Sequence, residues 1–320
     1  MRDQKIWQFI YDCLHKKISV ILLIVVESEG SSPGKTGSKM AVTSHGVLVG
    51  TIGGGSIEHA FVTKAQKKLK SCDLVPVVQR KIHNGTASNS SGMACGGIQT
   101  IMLYPLKKEE LVVIEEILKT LEHCKQGLLH ISPSGMTYNA TEYNKNKKNI
   151  LQFTTQKKWS YAENVGLRNK VYIIGGGHIG LALSRILAML DFYITIIDQR
   201  AEINTFQNNI YADEKKVITS FYEVEQHIYG IENYIIIMTP DHQADEAVLR
   251  QLVKKERKYI GLVGSSSKVS QILKHLQQDG ITSEQLSNFH APVGLSIHSH
   301  TPEEIAISIA AEMILIENGS

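Results

Sequence analysis

Val171-Tyr172-Ile173-Ile174 runs straight into Gly175-Gly176-Gly177-His178-Ile179-Gly180, and a helical apolar pattern follows from Ile179 to Leu190. An apolar run, a G-x-G-x-x-G turn and a helix in that order constrain the fold more than any other feature of the chain, because the glycines are useful only where a buried strand feeds a helix start. Gly175 allows a tight turn, Gly177 lets the backbone approach a pyrophosphate, and Gly180 permits close helix–strand packing. The helix start at His178 and Ile179 offers unpaired N–H donors to an anion. Asp198 closes the next apolar run, Tyr193 to Ile197, where a carboxylate accepts hydrogen bonds from an adenosine ribose and repels the 2′-phosphate of NADP. Arg200 lies close enough to soften that repulsion. Further short apolar runs at Lys216 to Thr219, Tyr234 to Met238 and Tyr259 to Val263 alternate with helical patterns, as buried parallel strands of a doubly wound α/β sheet do. Residues 169–320 are therefore expected to form a Rossmann-type domain that takes NAD or a related adenine nucleotide.

The half before it follows a different grammar. Trp7, Ile10, Tyr11 and Leu14 recur at helical spacing, and the apolar run from Ile18 leads to Glu27 as a strand. Met40 to Thr43 and Val47 to Thr51 flank Ser44-His45-Gly46 as a hairpin would. Gly53-Gly54-Gly55 opens a second helical pattern to Leu69, strands are expected at Val75 to Ile82 and Ile98 to Leu103, and a helix at Lys108 to Cys124 precedes a strand at Leu128 to Ser132. This is a mixed α+β domain over residues 1–140. The polar, weakly periodic stretch 141–168 is expected to be a linker.

Charge excludes some partners. With 34 basic and 31 acidic residues in 320, the net charge of +3 gives no electrostatic case for nucleic acid or a membrane surface. The longest apolar run is far too short to span a bilayer, and Met1 to Lys5 does not lead into the apolar core of a secretory signal, so a cytoplasmic location is expected. Cys13, Cys72, Cys95 and Cys124 lack metal-site spacing, and His290, His298 and His300 match no known zinc pattern. No metal ligated by protein side chains is expected.

Ordered motifs in both halves give the chain a family likeness. They are Gly30-Ser31-Ser32-Pro33 with Gly37 and Met40, Gly50 to Glu58 including the three glycines, and Cys95-Gly96-Gly97. In the second half they are the glycine fingerprint, Asp198-Gln199-Arg200, Tyr259 to Ser265, His290 to Leu295, and Thr301 to Ala306. In these the sequence resembles the XdhC/CoxI family, accessory factors of xanthine dehydrogenase and related molybdenum hydroxylases. The resemblance implies a protein that binds molybdenum cofactor as cargo, shelters it while a cysteine desulfurase installs its sulfido ligand, and passes it to the apo-hydroxylase: a chaperone more than a catalyst. Family members often carry cysteine after the three glycines, where this chain has Ser56, which leaves Cys95 as the position to which a thiol ligand is carried.

The chemistry of these residues is compatible with that role. A Cys95 thiolate suits molybdenum, while Gly96 and Gly97 admit a bulky cofactor to the backbone. Gly53, Gly54 and Gly55 before a helix offer N–H groups to a phosphate, and Ser31 and Ser32 offer hydroxyls. A buried cysteine at a turn and a plain strand-to-helix turn are the bland alternatives. His178 and His242 are expected at the carboxyl edge of the sheet, where they would serve a rival NAD(P)-dependent oxidoreductase as acid or base. A nucleotide-sensing regulatory module is the third reading. The stripe Ile305, Ile309, Met313 after Pro302 suits either core packing or the face of a homodimer.

Overall fold

A computed structural model describes residues 2–82, 97–123, 125–142, 149–166, 169–282, 284–286 and 289–319. The chain divides into two compact units, Met1–Leu167 and Arg168–Ser320.

The first unit is built on β1 (Val20–Glu29), whose continuous apolar run is explained by burial on both faces. Alternate side chains serve two cores, Leu22, Ile24 and Val26 one, Ile21, Leu23 and Val25 the other. Around β1, antiparallel pairing gives the order β3-β2-β1-β5-β4, with β2 (Lys39–Thr43), β3 (Leu48–Gly50), β4 (Val77–Ile82) and β5 (Ile98–Pro105). Helix α2 (Gly55–Lys70) covers one face through Ile57, Phe61, Ala65 and Leu69. On the other face Trp7 and Ile10 of α1 (Arg2–His15) and Ile114, Ile117 and Leu121 of α3 (Leu111–Glu122) join one core with side chains of a second, four-stranded sheet.

That second sheet corrects the expected linker. Residues 150–165 form the hairpin β8 (Ile150–Thr155) and β9 (Lys158–Val165), and with β6 (Gly127–Ser132) and β7 (Gly135–Asn139) they make the order β7-β6-β9-β8. The N-terminal unit thus extends past residue 140. Strand β9 alternates cleanly, Trp159, Tyr161, Glu163 and Val165 inward, but Glu163 at an inward position and the exposed residues of β8 hide the period from a reading of the sequence. Glu163 is buried because Lys39, also buried, lies 3.1 Å away, and Tyr161 donates a 2.8 Å hydrogen bond to it.

The second unit is a six-stranded, all-parallel sheet in the order β12-β11-β10-β13-β14-β15. Its strands are β10 (Lys170–Ile174), β11 (Tyr193–Asp198), β12 (Glu214–Val217), β13 (Asn233–Ile237), β14 (Tyr259–Leu262) and β15 (Phe289–His290). Counted within the unit the order is 3-2-1-4-5-6, the Rossmann arrangement, whose switch point lies between β10 and β13. Helices α4 (His178–Met189) and α8 (Pro302–Gly319) cover one face; α6 (His242–Leu252) and α7 (Ser266–Gln278) cover the other, and the one-turn α5 (Asn204–Gln207) follows β11. Ile309 and Met313 of α8 are fully buried, with Ile305 packed against them, so that stripe is core and not a dimer face. Edge strand β12 starts two residues before its expected position because its pairing with Thr195 to Asp198, and not its own half-exposed side chains, sets the register. Among the described residues no helix is long and apolar enough to cross a membrane.

Candidate functional site

At the end of β10 the three glycines separate into distinct physical roles. Gly175 has φ of +120°, and a Cβ there would lie 2.2 Å from the Met238 carbonyl oxygen. At Gly180 a Cβ would lie 2.4 Å from the Gly175 carbonyl oxygen, so only glycine lets α4 come this close to the turn. Gly177 has no atom within 4 Å of the Cβ position: its bare backbone faces open space. It is also the N-cap of α4, and no side chain caps that helix, whereas Asp241 caps α6 and Ser265 caps α7. Uncapped N–H donors beside an open glycine are what a pyrophosphate requires. Gly176 is held between Phe206, which fills the space of its missing side chain, and the Thr205 hydroxyl, which donates to its carbonyl at 2.6 Å. His178 and Ile179 follow at the helix start, His178 exposed and Ile179 half-buried.

Asp198 stands at the end of β11 with no exposed surface. Its Oδ2 accepts from the Gly176 N–H at 2.6 Å and the Arg200 Nη2 at 2.8 Å, and its Oδ1 accepts from the Arg200 N–H at 2.9 Å and Nε at 3.0 Å. Burial alone raises this carboxyl, but the bonds from the Arg200 side chain and the two backbone N–H groups outweigh it and hold it below the usual aspartate value.

The other loops at the carboxyl edge contain polar networks that the sequence reading missed. After β13, Thr239 donates both its N–H, at 2.9 Å, and its hydroxyl, at 2.6 Å, to the fully buried Asp245 of α6. Lys268 of α7 donates to the same carboxylate and, at 3.3 Å, to the Val263 carbonyl, so the loops after β13 and β14 are tied together. His242 opens α6 in an exposed position at this edge. Away from the carboxyl edge, His290 of β15 stacks on Tyr259, the first residue of β14, at 4.4 Å, and Glu312 of α8 accepts from Tyr259 and from the Gly294 N–H. Burial raises Glu312, yet His290, Tyr259 and Gly294 hold it below the ordinary glutamate value. A single carboxylate set among apolar residues of an otherwise buried helix face was the available signal for Asp245 and Glu312.

In the first unit, motifs far apart in sequence meet. A Cβ on Gly53 would lie 2.4 Å from the Gly34 nitrogen, and one on Gly97 would lie 2.7 Å from the Ser32 nitrogen. The loop after β1, the glycine turn before α2 and the entry to β5 are therefore one cluster. Gln99, fully buried, fastens it by donating to the carbonyls of Gly34 at 2.9 Å and Ile52 at 3.2 Å. Gly53, Gly54 and Gly55 have φ of +122°, +76° and +68°, a run that only glycine sustains. Ser32 is buried with its hydroxyl on the Gly34 carbonyl; Ser31 and Ser56 are exposed.

Part of the phosphate cradle that the glycines suggest is engaged within the turn. Glu58 reaches back from the first turn of α2, and its Oε2 accepts from the Thr51 hydroxyl at 2.6 Å, the Ile52 N–H at 2.9 Å and the Gly54 N–H at 3.0 Å. Gly53 N–H donates to the Thr51 hydroxyl oxygen at 3.1 Å. The donors of residues 52–54 are thus engaged within the turn. Beyond them the turn presents bare surface at Gly54, where no atom lies within 4 Å of the Cβ position, and the start of α2, to which the N-cap Gly54 gives no side-chain cap. Cys95 and Gly96 lie outside the described residues. Among the described residues, no three His, Cys, Asp or Glu side chains group to hold a metal ion.

Comparison with known proteins follows the same division. Residues 171–313 match the XdhC Rossmann domain, and residues 13–75 match the XdhC and CoxI family. The chain is 22% identical over 321 residues to a Bacillus subtilis protein described as a probable subunit of xanthine dehydrogenase, covering 94% of each. It is 23% identical over 303 residues to the Escherichia coli protein YqeB, covering 92% of this chain but only 43% of the length of that relative. The fold is that of a Bacillus halodurans crystal structure described as a xanthine dehydrogenase, with a TM-score of 0.73 and 23% identity over 97% of this chain and 95% of that one.

Proposed function

Because the chain belongs to the XdhC and CoxI family, we propose that it serves the maturation of a xanthine dehydrogenase-type molybdenum hydroxylase. It binds molybdenum cofactor as cargo in the first unit, presents it to a cysteine desulfurase for sulfuration, and releases it to the apo-hydroxylase. The second unit binds an adenine nucleotide on the Gly175–Gly180 turn.

The observation that carries the cargo reading is the convergence of Ser32, Gly34, Gly53 and Gly97 on one cluster beside the open backbone at Gly54. Glycines at 34, 53 and 97 let the three loops pack backbone on backbone, which brings the exposed Ser31 and Ser56 together with Gly54, and the bare backbone at Gly54 suits close approach by something large and flat. Engaged N–H groups at residues 52–54 mean that such a ligand would meet backbone surface and the exposed Ser31 and Ser56, with the thiol role carried by the family resemblance to Cys95. For the nucleotide, the support is Gly177, open and uncapped at the switch point of the sheet.

Native mass spectrometry of the protein co-expressed with cofactor biosynthesis tests the cargo. The expected result is a bound species of cofactor mass that is lost in Gly54→Leu and reduced in Cys95→Ala. An unloaded wild-type protein from a strain that makes the cofactor would sink the reading. Calorimetry with adenine nucleotides tests the other unit, with Gly177→Val expected to abolish binding while the far-UV circular dichroism is retained.

A further inference from the structure

An unperturbed Rossmann site recognises the adenosine ribose by accepting its 2′- and 3′-hydroxyl hydrogens on a carboxylate at the end of the second strand. Here that carboxylate is full. A carboxylate has about four lone-pair positions, and Asp198 receives four donors from its own chain, three of them from Arg200. With no exposed surface, Asp198 meets neither solvent nor ligand unless the guanidinium moves away.

What a ligand meets at this strand end is Arg200, whose side chain is 38% exposed. Arg200 grips Asp198 side-on through Nε and Nη2. That grip leaves one hydrogen of Nη1 and the second hydrogen of Nη2 side by side along the outer edge of the fork, with the other Nη1 hydrogen on the Cδ side. Such an edge matches two oxygens of a phosphate, and it cannot accept a hydrogen from a hydroxyl. The pair is neutral as a unit, so the repulsion expected between an acidic strand end and a 2′-phosphate is cancelled at its source. The acidic neighbour Glu202 is exposed and screened by solvent.

We propose that Arg200 makes this nucleotide site select a 2′-phosphorylated adenine nucleotide over its unphosphorylated counterpart, with Asp198 acting as the anchor that orients the guanidinium and not as the ribose acceptor. The proposal rests on the reading of Gly175–Gly180 as a nucleotide site and specifies its ligand. An NAD-type ribose would have to break two side-chain bonds of Arg200 before reaching a carboxylate, whereas a 2′-phosphate adds bonds to an arginine already in place.

Calorimetry on the full chain with NADP, NAD, adenosine 2′,5′-bisphosphate and AMP tests it. The wild type should bind each 2′-phosphorylated compound at least about tenfold more tightly than its partner. Arg200→Ala should reverse the order, weakening NADP because Asp198 is left as a bare charge, and strengthening NAD because the carboxylate is freed. Arg200→Lys, which keeps the charge but loses the fork, should retain only part of the preference. NAD binding as tightly as NADP to the wild type, or an equal loss of both in Arg200→Ala, would overturn the selection while leaving the nucleotide site standing. No binding of any of the four to the wild type or to Arg200→Ala would overturn both.

Discussion

The turn before α4 and the turn before α2 use the same parts for different ends. Each joins a strand region to a helix through three successive glycines, each is pinned by a carboxylate that accepts a backbone N–H of the turn, and each leaves one glycine facing open space, Gly177 and Gly54. They differ in where the carboxylate comes from. Asp198 reaches across from the neighbouring strand and takes one turn donor, leaving α4 uncapped. Glu58 comes from the helix that the turn introduces and takes the donors of Ile52 and Gly54. Neither helix has a side-chain cap, so both starts keep their dipole; the turn before α2 differs in having two backbone donors committed to Glu58, whose charge opposes an anion there. The two glycine motifs therefore suit different ligands.

The largest effects should come from the glycines that pack. Gly53→Ala and Gly175→Ala each combine a positive φ with a Cβ driven into backbone, and each should destabilise its own unit by about 3 kcal/mol or more. Both tryptophans, Trp7 and Trp159, lie in the core of the first unit, so urea unfolding followed by tryptophan emission should register Gly53→Ala, while Gly175→Ala shifts only the far-UV transition. Equal shifts in both signals for either variant would show that the two units unfold as one.

Removing the pinning charges comes next. Asp198→Asn forces an amide nitrogen against two of four donors and should cost about 2–3 kcal/mol. Glu58 uses a single oxygen for its three bonds, which the amide oxygen of Glu58→Gln can still accept, so the cost there should be about 1 kcal/mol. A larger loss for Glu58→Gln would mean that its charge, and not its geometry, holds the turn.

Acid should separate the units as well. In the second unit Asp198, Glu246, Glu312 and Glu317 are all held below their ordinary values. Carboxylates of this kind contribute stability that is complete above the unfolded pKa, near 4, and is lost as pH falls through the depressed folded value. In the first unit burial pushes Glu110 and Glu163 up, with Lys39 only partly offsetting it at Glu163. Their sign is opposite: the folded state binds the proton more readily, so their contribution weakens as pH rises from the ordinary glutamate value to the raised one. The surface Asp73 is a lowered carboxyl in this unit. On acidification from about pH 6 to pH 3, far-UV signal should be lost before tryptophan emission shifts. The reverse order would contradict this difference between the units.

The smallest effect sharpens the comparison most. Gly177→Ala has ordinary φ and open space, so it should cost under about 1 kcal/mol, the usual scale of an N-cap change. Gly54→Ala, with φ of +76° and equally open space, should cost about 1–2 kcal/mol through backbone strain alone. Chemical denaturation resolves the two.

Local chemistry was enough to make much of this protein legible in its sequence. Continuous apolar runs gave β10, β11, β13 and β14, the glycine spacing gave the turn and α4, and Asp198 was placed at its strand end, because buried parallel strands and tight turns impose patterns within a few residues. The order of motifs carried the family. What the sequence could not decide was which partners those residues find. Strands β8 and β9 were hidden because an exposed hairpin with a buried Glu163 breaks the apolar alternation, and only Lys39, over a hundred residues away, makes that burial tolerable. The meeting of Ser32, Gly53 and Gly97 depends on the antiparallel pairing of β1 with β5, and the capture of Glu58 by its own turn depends on backbone angles. Asp198 is the clearest division: its position follows from strand periodicity, but whether its lone pairs remain for a ribose is decided by where the Arg200 side chain folds, since a buried carboxylate takes whichever donors the tertiary structure brings to it.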